Sequence, residues 1–260
     1  MVTTRAASSR AASAAPESLS PSPPPPDFTP VTPSTTRKRA PRTTANTTSK
    51  KRRVSIENVP SATTWRHTPS TTTLLWLAVS LPLVAWDTGY VLGRPRTMPG
   101  GNLHWPLWAP YELYGKVDHV YGFKSWDAHN GFTGAQSALN VVESLMYAVY
   151  LWLVWTRADS RSTDGAARRT LSGRDGGLAV LIGFSAAVMT LSKTVLYWAN
   201  EYYSGFDNIG HNSALDLFYL WILPNGFWLI LPAYMIWVFG NNILDGLAIA
   251  SGQSVKKSLE

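Results

Sequence analysis

The most chemically suggestive pattern in this sequence is a polar stripe inside an otherwise apolar segment of membrane-spanning length, residues 132–155. The stripe consists of Gln136, Asn140, Glu143, Tyr147 and Tyr150. Spacings of 4, 3, 4 and 3 residues place these side chains on one face of a helix. An ionisable group at membrane depth is costly, so it normally faces a bundle interior or a wet cavity. The stripe therefore predicts a polar pocket inside a membrane protein.

The other apolar segments carry polar or aromatic seams of the same kind. These seams are Asp87, Tyr90 and Arg94; Lys193, Tyr197 and Glu201; and Trp221, Asn225, Trp228 and Pro232. Turned inward, they would enclose a pocket that bears carboxylates, an amide and an indole. Two interpretations stay open. The groups either pair across helices, for example Lys193 with Glu143 or Asp87, at about 0.6–2 kcal/mol each, or they bind and act on a ligand.

Several other kinds of chemistry find no support in the sequence. The chain has no Cys, so it has neither disulfides nor thiol catalysis. No two of its five His residues have the i, i+4 spacing of a helical metal site, so no metal is predicted. We find no phosphate-binding loop, dinucleotide fingerprint or nucleophile elbow.

The hydropathy pattern predicts four transmembrane helices, near residues 73–92, 132–156, 177–199 and 215–239. Each is long enough to cross a hydrocarbon core of about 30 Å. Pro82 in the first and Pro224 and Pro232 in the fourth predict kinks. The predicted fold class is therefore an all-α, four-helix transmembrane bundle.

Residues 1–66 are rich in Ser, Thr, Pro and Ala and hold 11 Lys or Arg against 3 Asp or Glu. This composition predicts a disordered basic arm. The cluster Lys50, Lys51, Arg52 and Arg53 suits contact with anionic lipid. The rest of the chain holds 12 basic against 13 acidic residues, so the basic charge belongs to the arm, and we expect no nucleic-acid partner.

The charges between the spans predict their orientation. The connection 157–176 has five Arg against three Asp, whereas 200–214 has Glu201 and Asp207 and no Lys or Arg. By the positive-inside rule the arm, the 157–176 connection and the 241–260 tail are cytoplasmic. The segment 93–131 then lies on the opposite side.

Segment 93–131 is rich in aromatic residues, and their role has two interpretations. Its aromatic residues are Trp105, Trp108, Tyr111, Tyr114, Tyr121, Phe123 and Trp126. Such rings favour the membrane interface, where they form an aromatic belt. The same segment can also form a lid over the mouth of the pocket, and both can hold at once.

The C-terminal half resembles the emopamil-binding-protein superfamily, also called the EXPERA domain. The likeness lies in residues 195–198, Glu201, Gly205-Phe206 and, most specifically, the Asn-x-x-Trp-x-x-x-Pro stretch at 225–232. That superfamily groups sterol Δ8-Δ7 isomerases with sigma-type receptors and related lipid-handling proteins. The resemblance covers roughly residues 70–240 and implies a four-helix membrane bundle, a sterol or lipid ligand and the endoplasmic reticulum membrane.

The resemblance also implies roles for particular residues. Asn225 and Trp228 match family pocket residues, Glu143 and Asp87 match carboxylates of the second and first spans, and Glu201 falls at an acidic position. The chain departs from the isomerases at two places. Leu83 stands where they have a His, and Thr194, beside Lys193, stands where they have an acid.

An enzyme mechanism follows from these residues as a hypothesis. Glu143 or Asp87 would protonate a double bond, and the Trp228 ring and the other carboxylate would hold the carbocation. Asn225 would position a hydroxyl or water, and Tyr90, Asn140, Lys193, Tyr197 and Glu201 would complete the ligand site. Loss of a neighbouring proton would complete an isomerisation or a cyclisation, and this chemistry needs no cofactor. The alternatives are a non-catalytic receptor for sterols or amines and a trafficking partner for membrane proteins.

Overall fold

The structure is a computed structural model that describes residues 64–163 and 166–253. Most of the predicted arm, including Lys50, Lys51, Arg52 and Arg53, lies outside the described residues, and so does the end of the predicted C-terminal tail.

Four long apolar helices dominate the described part of the chain. In chain order the helices are α1 (Thr71–Leu92), α2 (Pro110–Val117), α3 (Phe123–Asp127), α4 (Phe132–Thr156), α5 (Gly173–Tyr203) and α6 (Ala214–Ala250). Helices α1, α4, α5 and α6 are long and apolar enough to cross a membrane. The predicted four-span, all-α class is confirmed. Helix α6 continues into the first part of the predicted 241–260 tail.

Local sequence explains where these helices begin and bend. The Ser70 hydroxyl caps α1 by accepting a hydrogen bond from the backbone N–H of Thr73 at 3.1 Å. Helix α6 contains a π-helical stretch, Leu217–Ile222, that ends just before Pro224. Proline has no N–H to donate to the preceding turn, and the wider π-helical turn lies at that position.

A small antiparallel sheet, which the sequence did not predict, joins the chain entering α1 to the α4–α5 connection. Its strands are β1 (Arg66–His67), β2 (Asp159–Thr163) and β3 (Ala166–Ser172), in the order β1-β3-β2. Asp159 pairs with Thr170, and His67 pairs with Leu171. Strand β1 has only two residues, and β2 and β3 show no alternation of apolar and polar residues, so the sequence carries no strand signal there.

The four spans enclose a buried apolar cluster at the end near this sheet. Leu77, Tyr150, Ala186 and Phe239 are almost completely buried there. Gly183 of α5 lies against the Phe239 ring, where a Cβ atom would come within 2.7 Å of the ring. Glycine at position 183 therefore lets α5 and α6 approach closely at this level.

Residues 93–131, which we call the cap, cover the opposite end of the bundle and contain α2 and α3. The cap is bound to the α5–α6 connection at several points. Asn212 donates from Nδ2 to the Val117 carbonyl at 2.7 Å, and Lys124 pairs with Asp207 at 2.8 Å. The cap and this connection are therefore one packed layer.

A buried histidine lies between the sheet and the spans. His67 is fully buried, 3.0 Å from the Tyr150 hydroxyl and 3.1 Å from Asn242 Oδ1. Burial lowers the pKa of His67, because it disfavours the charged ring, while the hydrogen bond to Asn242 opposes the shift. His67 thus links β1 to α4 and α6 as a neutral ring.

This burial predicts that acid weakens the fold. Since the folded-state pKa of His67 lies below its unfolded value of 6.5, the unfolded chain binds more protons as pH falls through that window. We expect the Tm of the detergent-solubilised protein to decrease as the pH is lowered from about 7.5 to about 5. In His67→Gln the slope should flatten, with a lower Tm at pH 7.5. The control is His129→Asn at an exposed position whose φ of 52° suits Asn. If Tm depends on pH in His67→Gln as it does in wild type, His67 is not the cause of the acid sensitivity.

Candidate functional site

A cavity of about 440 Å³ lies between the four spans beneath the cap. Each surrounding element contributes to its wall. The side chains that line it include Asp87 of α1, Tyr121 of the cap, Asn140 of α4, Lys193 of α5 and Trp228 of α6. Most of the remaining wall is apolar or aromatic, including Leu83, Val84, Phe132, Leu220 and Pro224. A mostly apolar wall with a few polar groups is typical of a small-molecule site.

Asp87 is the carboxylate that lines this cavity. Its Oδ1 accepts a hydrogen bond from the Tyr111 hydroxyl at 2.8 Å, and its Oδ2 accepts one from Asn140 Nδ2 at 3.4 Å. Within the described residues Asp87 forms no ion pair. Asp87 therefore has neutral hydrogen-bond donors as partners and lies where a ligand can reach it.

Lys193 and Glu143 form an ion pair behind the Asn140 side chain. Lys193 Nζ lies 3.1 Å from Glu143 Oε2 and also donates to Asn140 Oδ1. The Thr190 hydroxyl lies 2.9 Å from the same Glu143 oxygen. The Lys193 and Glu143 side chains are 11% and 5% exposed. A polar chain thus runs from Glu143 through Lys193 and Asn140 to Asp87.

The opposite wall is formed by the α6 residues that the family resemblance singled out. Asn225 and Trp228 both line the cavity. The Asn225 amide donates to the Trp221 carbonyl at 2.8 Å, so its side-chain oxygen is left to accept. Trp228 packs edge-to-face on Trp76 of α1 at 5.0 Å between ring centroids. The indole is thereby held in one orientation at the cavity wall.

The cap contributes three tyrosines, Tyr111, Tyr114 and Tyr121. Tyr111 stacks on Tyr90 with ring centroids 3.8 Å apart. Burial raises the pKa of each of the three, with Asp87 adding to the shift for Tyr111. The phenols are therefore protonated near neutral pH and available to donate hydrogen bonds. Other aromatic residues of the cap are exposed, such as Trp105, so the cap offers both a cavity wall and an outer aromatic surface.

Sequence reasoning missed Asp118, a fully buried carboxylate of the cap. Asp118 Oδ1 accepts from the Val120 N–H at 3.1 Å, and Oδ2 accepts from Trp221 Nε1 at 2.9 Å and from the Tyr197 hydroxyl. Burial raises its pKa to about 7, although the bonds to Val120 and Trp221 oppose the shift. Asp118 lies between two short helices, where no helical periodicity marks it.

The structure brings most of the predicted site residues to the cavity. Those that line it are Asp87, Asn140, Lys193, Tyr197, Asn225 and Trp228. Three predicted residues, Tyr90, Glu143 and Glu201, do not. Leu83 and Thr194, where the chain departs from the isomerases, also line the cavity, so at those positions the wall offers no imidazole and no acid.

Each of the three residues outside the cavity wall has its own partners. Tyr90 donates to the Tyr121 carbonyl at 2.8 Å and is covered by the cap. Glu143 is covered by Lys193. Glu201 accepts from Asn208 Nδ2 at 2.8 Å, on the side of α5 that faces the α5–α6 connection. Glu143 thus lies outside the cavity wall, as the counterion of Lys193.

Four apolar helices of membrane-spanning length define a multi-pass integral membrane protein. No protein-family model, characterised protein or solved structure matched the chain. Within residues 64–163 and 166–253, no cluster of three or more His, Asp or Glu could hold a metal ion.

The Lys193–Glu143 pair predicts a large stability effect. In Lys193→Met the buried Glu143 carboxylate loses its cation, which should lower the free energy of unfolding by about 3–5 kcal/mol. The double variant Lys193→Met/Glu143→Gln should recover part of that loss, because no unpaired charge remains. Denaturation in mixed micelles measures both. The control, Lys116→Met, breaks the exposed pair with Glu112 and should change stability little. A stable Lys193→Met single variant would show that the pair is dispensable.

Proposed function

We propose that this protein is an EXPERA-type membrane protein that binds a sterol or similar lipid in the cavity and shifts a double bond by acid catalysis. We also propose the endoplasmic reticulum membrane as its location, which rests on the family resemblance, and cytoplasmic termini, which rest on the charge pattern of the connections. The observation that carries the proposal is Asp87, a carboxylate without an ion-pair partner in the described residues, in the wall of an aromatic cavity between the spans.

The size and lining of the cavity favour a lipid-like ligand. Its volume of about 440 Å³ lies within the range of small-molecule sites. The wall is mainly apolar, and ring faces and aliphatic side chains suit a rigid hydrocarbon. Asn225, whose amide N–H is engaged with the Trp221 carbonyl, offers an oxygen to a ligand hydroxyl.

Asp87 is the proposed acid. A protonated Asp87 would transfer its proton to one carbon of the double bond, and the positive charge would form on the neighbouring carbon. Tyr111 and Asn140 would hold the resulting carboxylate, since both already donate to its oxygens. The Trp228 π face would stabilise the cation at no cost in reorganisation, because Trp76 fixes its orientation.

Glu143 takes an indirect part in this scheme. Its charge balances Lys193, whose ammonium would otherwise disfavour a carbocation in the same cavity. Lys193 also donates to Asn140, and Asn140 donates to Asp87. We therefore propose that Asp87 is the proton donor and that Glu143 neutralises the charge of Lys193.

A receptor for amphiphilic amines is the second candidate. The same Asp87 carboxylate can pair with a ligand ammonium, because it has no cationic partner among the described residues. Leu83 and Thr194 favour this candidate, since they remove two proton-handling groups that the isomerases have.

The test is turnover by the full-length protein in nanodiscs. Cholest-8-en-3β-ol and farnesol serve as probes, with mass spectrometry reading bound ligand and rearranged product. We expect wild type to form a rearranged sterol and Asp87→Asn to bind it with product formation lowered on the order of 100-fold or more. The control is Asp127→Asn, at an exposed position of α3.

Each outcome separates the two candidates. Product from wild type that is lost in Asp87→Asn supports the enzyme. Binding without product from wild type, with an amine displacing the sterol and Asp87→Asn losing the amine, supports the receptor. Binding of neither probe contradicts both.

A further inference from the structure

We propose that Tyr197, with Asp118 behind it, is the group that removes a proton from the ligand after Asp87 has added one. This inference rests on the proposed function. A double-bond shift needs both a donor and an acceptor of protons, and Leu83 and Thr194 leave the wall without an imidazole or acid at the isomerase positions. The structure supplies a carboxylate–tyrosine pair from the cap and α5 in their place.

The hydrogen-bond pattern makes the Tyr197 oxygen an acceptor toward the cavity. Tyr197 lines the cavity and donates its hydroxyl proton to Asp118 Oδ2. The single N–H of Trp221 is shared between Asp118 Oδ2, at 2.9 Å, and this hydroxyl oxygen, at 3.2 Å, so it engages one lone pair of the Tyr197 oxygen. A hydroxyl has one proton and two lone pairs, so one lone pair is left for a ligand.

Among the described hydrogen-bond partners of Asp118, Tyr197 is the one that lines the cavity. Asp118 is fully buried and does not line the cavity. Its oxygens accept from Val120, Trp221 and Tyr197, which come from the cap, α6 and α5. Tyr197 is thus the residue that would touch the ligand, and Asp118 acts through it.

The proposed step moves one proton from the ligand to Tyr197 and one from Tyr197 to Asp118. After Asp87 has protonated the double bond, a C–H bond beside the cationic carbon breaks, and its electron pair forms the new double bond. The proton goes to the Tyr197 oxygen, while the phenol proton passes to Asp118 Oδ2. A neutral phenol suffices, because a C–H beside a carbocation is very acidic. Water returns a proton to Asp87 and removes one from Asp118 after product leaves.

The titratable groups around Asp118 set its response to pH. Glu201 of α5 raises its pKa further, and Tyr114 and Tyr121 of the cap couple to it. His119, the next residue, stacks on His211 with ring centroids 4.1 Å apart. Because Asp118 must be ionised to accept the proton, kcat should fall as pH drops through about 7.

The experiment uses full-length protein in nanodiscs with cholest-8-en-3β-ol, unlabelled and deuterated at C7. In Tyr197→Phe we expect bound sterol as in wild type, with kcat lowered on the order of 100-fold and a larger isotope effect of C7 deuteration on kcat. Asp118→Asn should show the same larger isotope effect and lose the fall of kcat below pH 7 (about the Asp118 pKa). Asp87→Asn should have a low kcat with no increase in the isotope effect of C7 deuteration. The control, Tyr219→Phe, changes an exposed tyrosine and should have the kcat and the isotope effect of wild type.

A merely structural role for Tyr197 would lower kcat while leaving the isotope effect unchanged, and that result overturns the inference. Wild-type kcat in Tyr197→Phe also overturns it and leaves the proposed function in place. If wild type forms no product from the sterol, the proposed reaction fails, and the role of Tyr197 fails with it.

Discussion

The structure depends on how a lysine and its polar neighbours are accommodated at membrane depth. Lys193 lies between the spans with its side chain only 11% exposed, so it needs an anionic partner, which Glu143 provides at 3.1 Å. Asn140 bridges the pair to Asp87, and Asp87 reaches the cap through Tyr111. Helices α1, α4 and α5 and the cap are thereby connected by one polar network whose far end lies in the cavity wall.

The two ends of the bundle differ because their side chains differ in size and polarity. Near the sheet, Gly183 lets the Phe239 ring approach α5 closely, and the core there is dense. Under the cap, tyrosines, tryptophans and amides meet from several elements, and bulky polar groups with fixed hydrogen bonds leave a cavity between them. We infer that the densely packed end keeps the spans in place while the cavity end is free to receive a ligand.

Helical periodicity explains both what the sequence predicts about the site and what it misses. It identifies the Gln136–Glu143 stripe, Asp87, Asn225 and Trp228, because each lies in a long regular helix. It fails for Glu201, since two steps of four residues from Lys193 rotate the side chain by roughly 80°, and Glu201 binds Asn208 instead. It offers no signal for Asp118 or His67, which lie outside the spans and are buried by contacts between distant parts of the chain.

Photolabelling would show directly whether a ligand binds in the cavity beneath the cap. A photoreactive sterol in nanodiscs, followed by peptide mapping, would show which residues it contacts. We expect labels on α1 near Asp87, on the cap near Tyr121 and on α6 near Trp228. Excess cholest-8-en-3β-ol should prevent this labelling. Labels confined to exposed residues of the spans, such as Leu145 and Trp237, and unaffected by excess cholest-8-en-3β-ol would contradict ligand binding in the cavity.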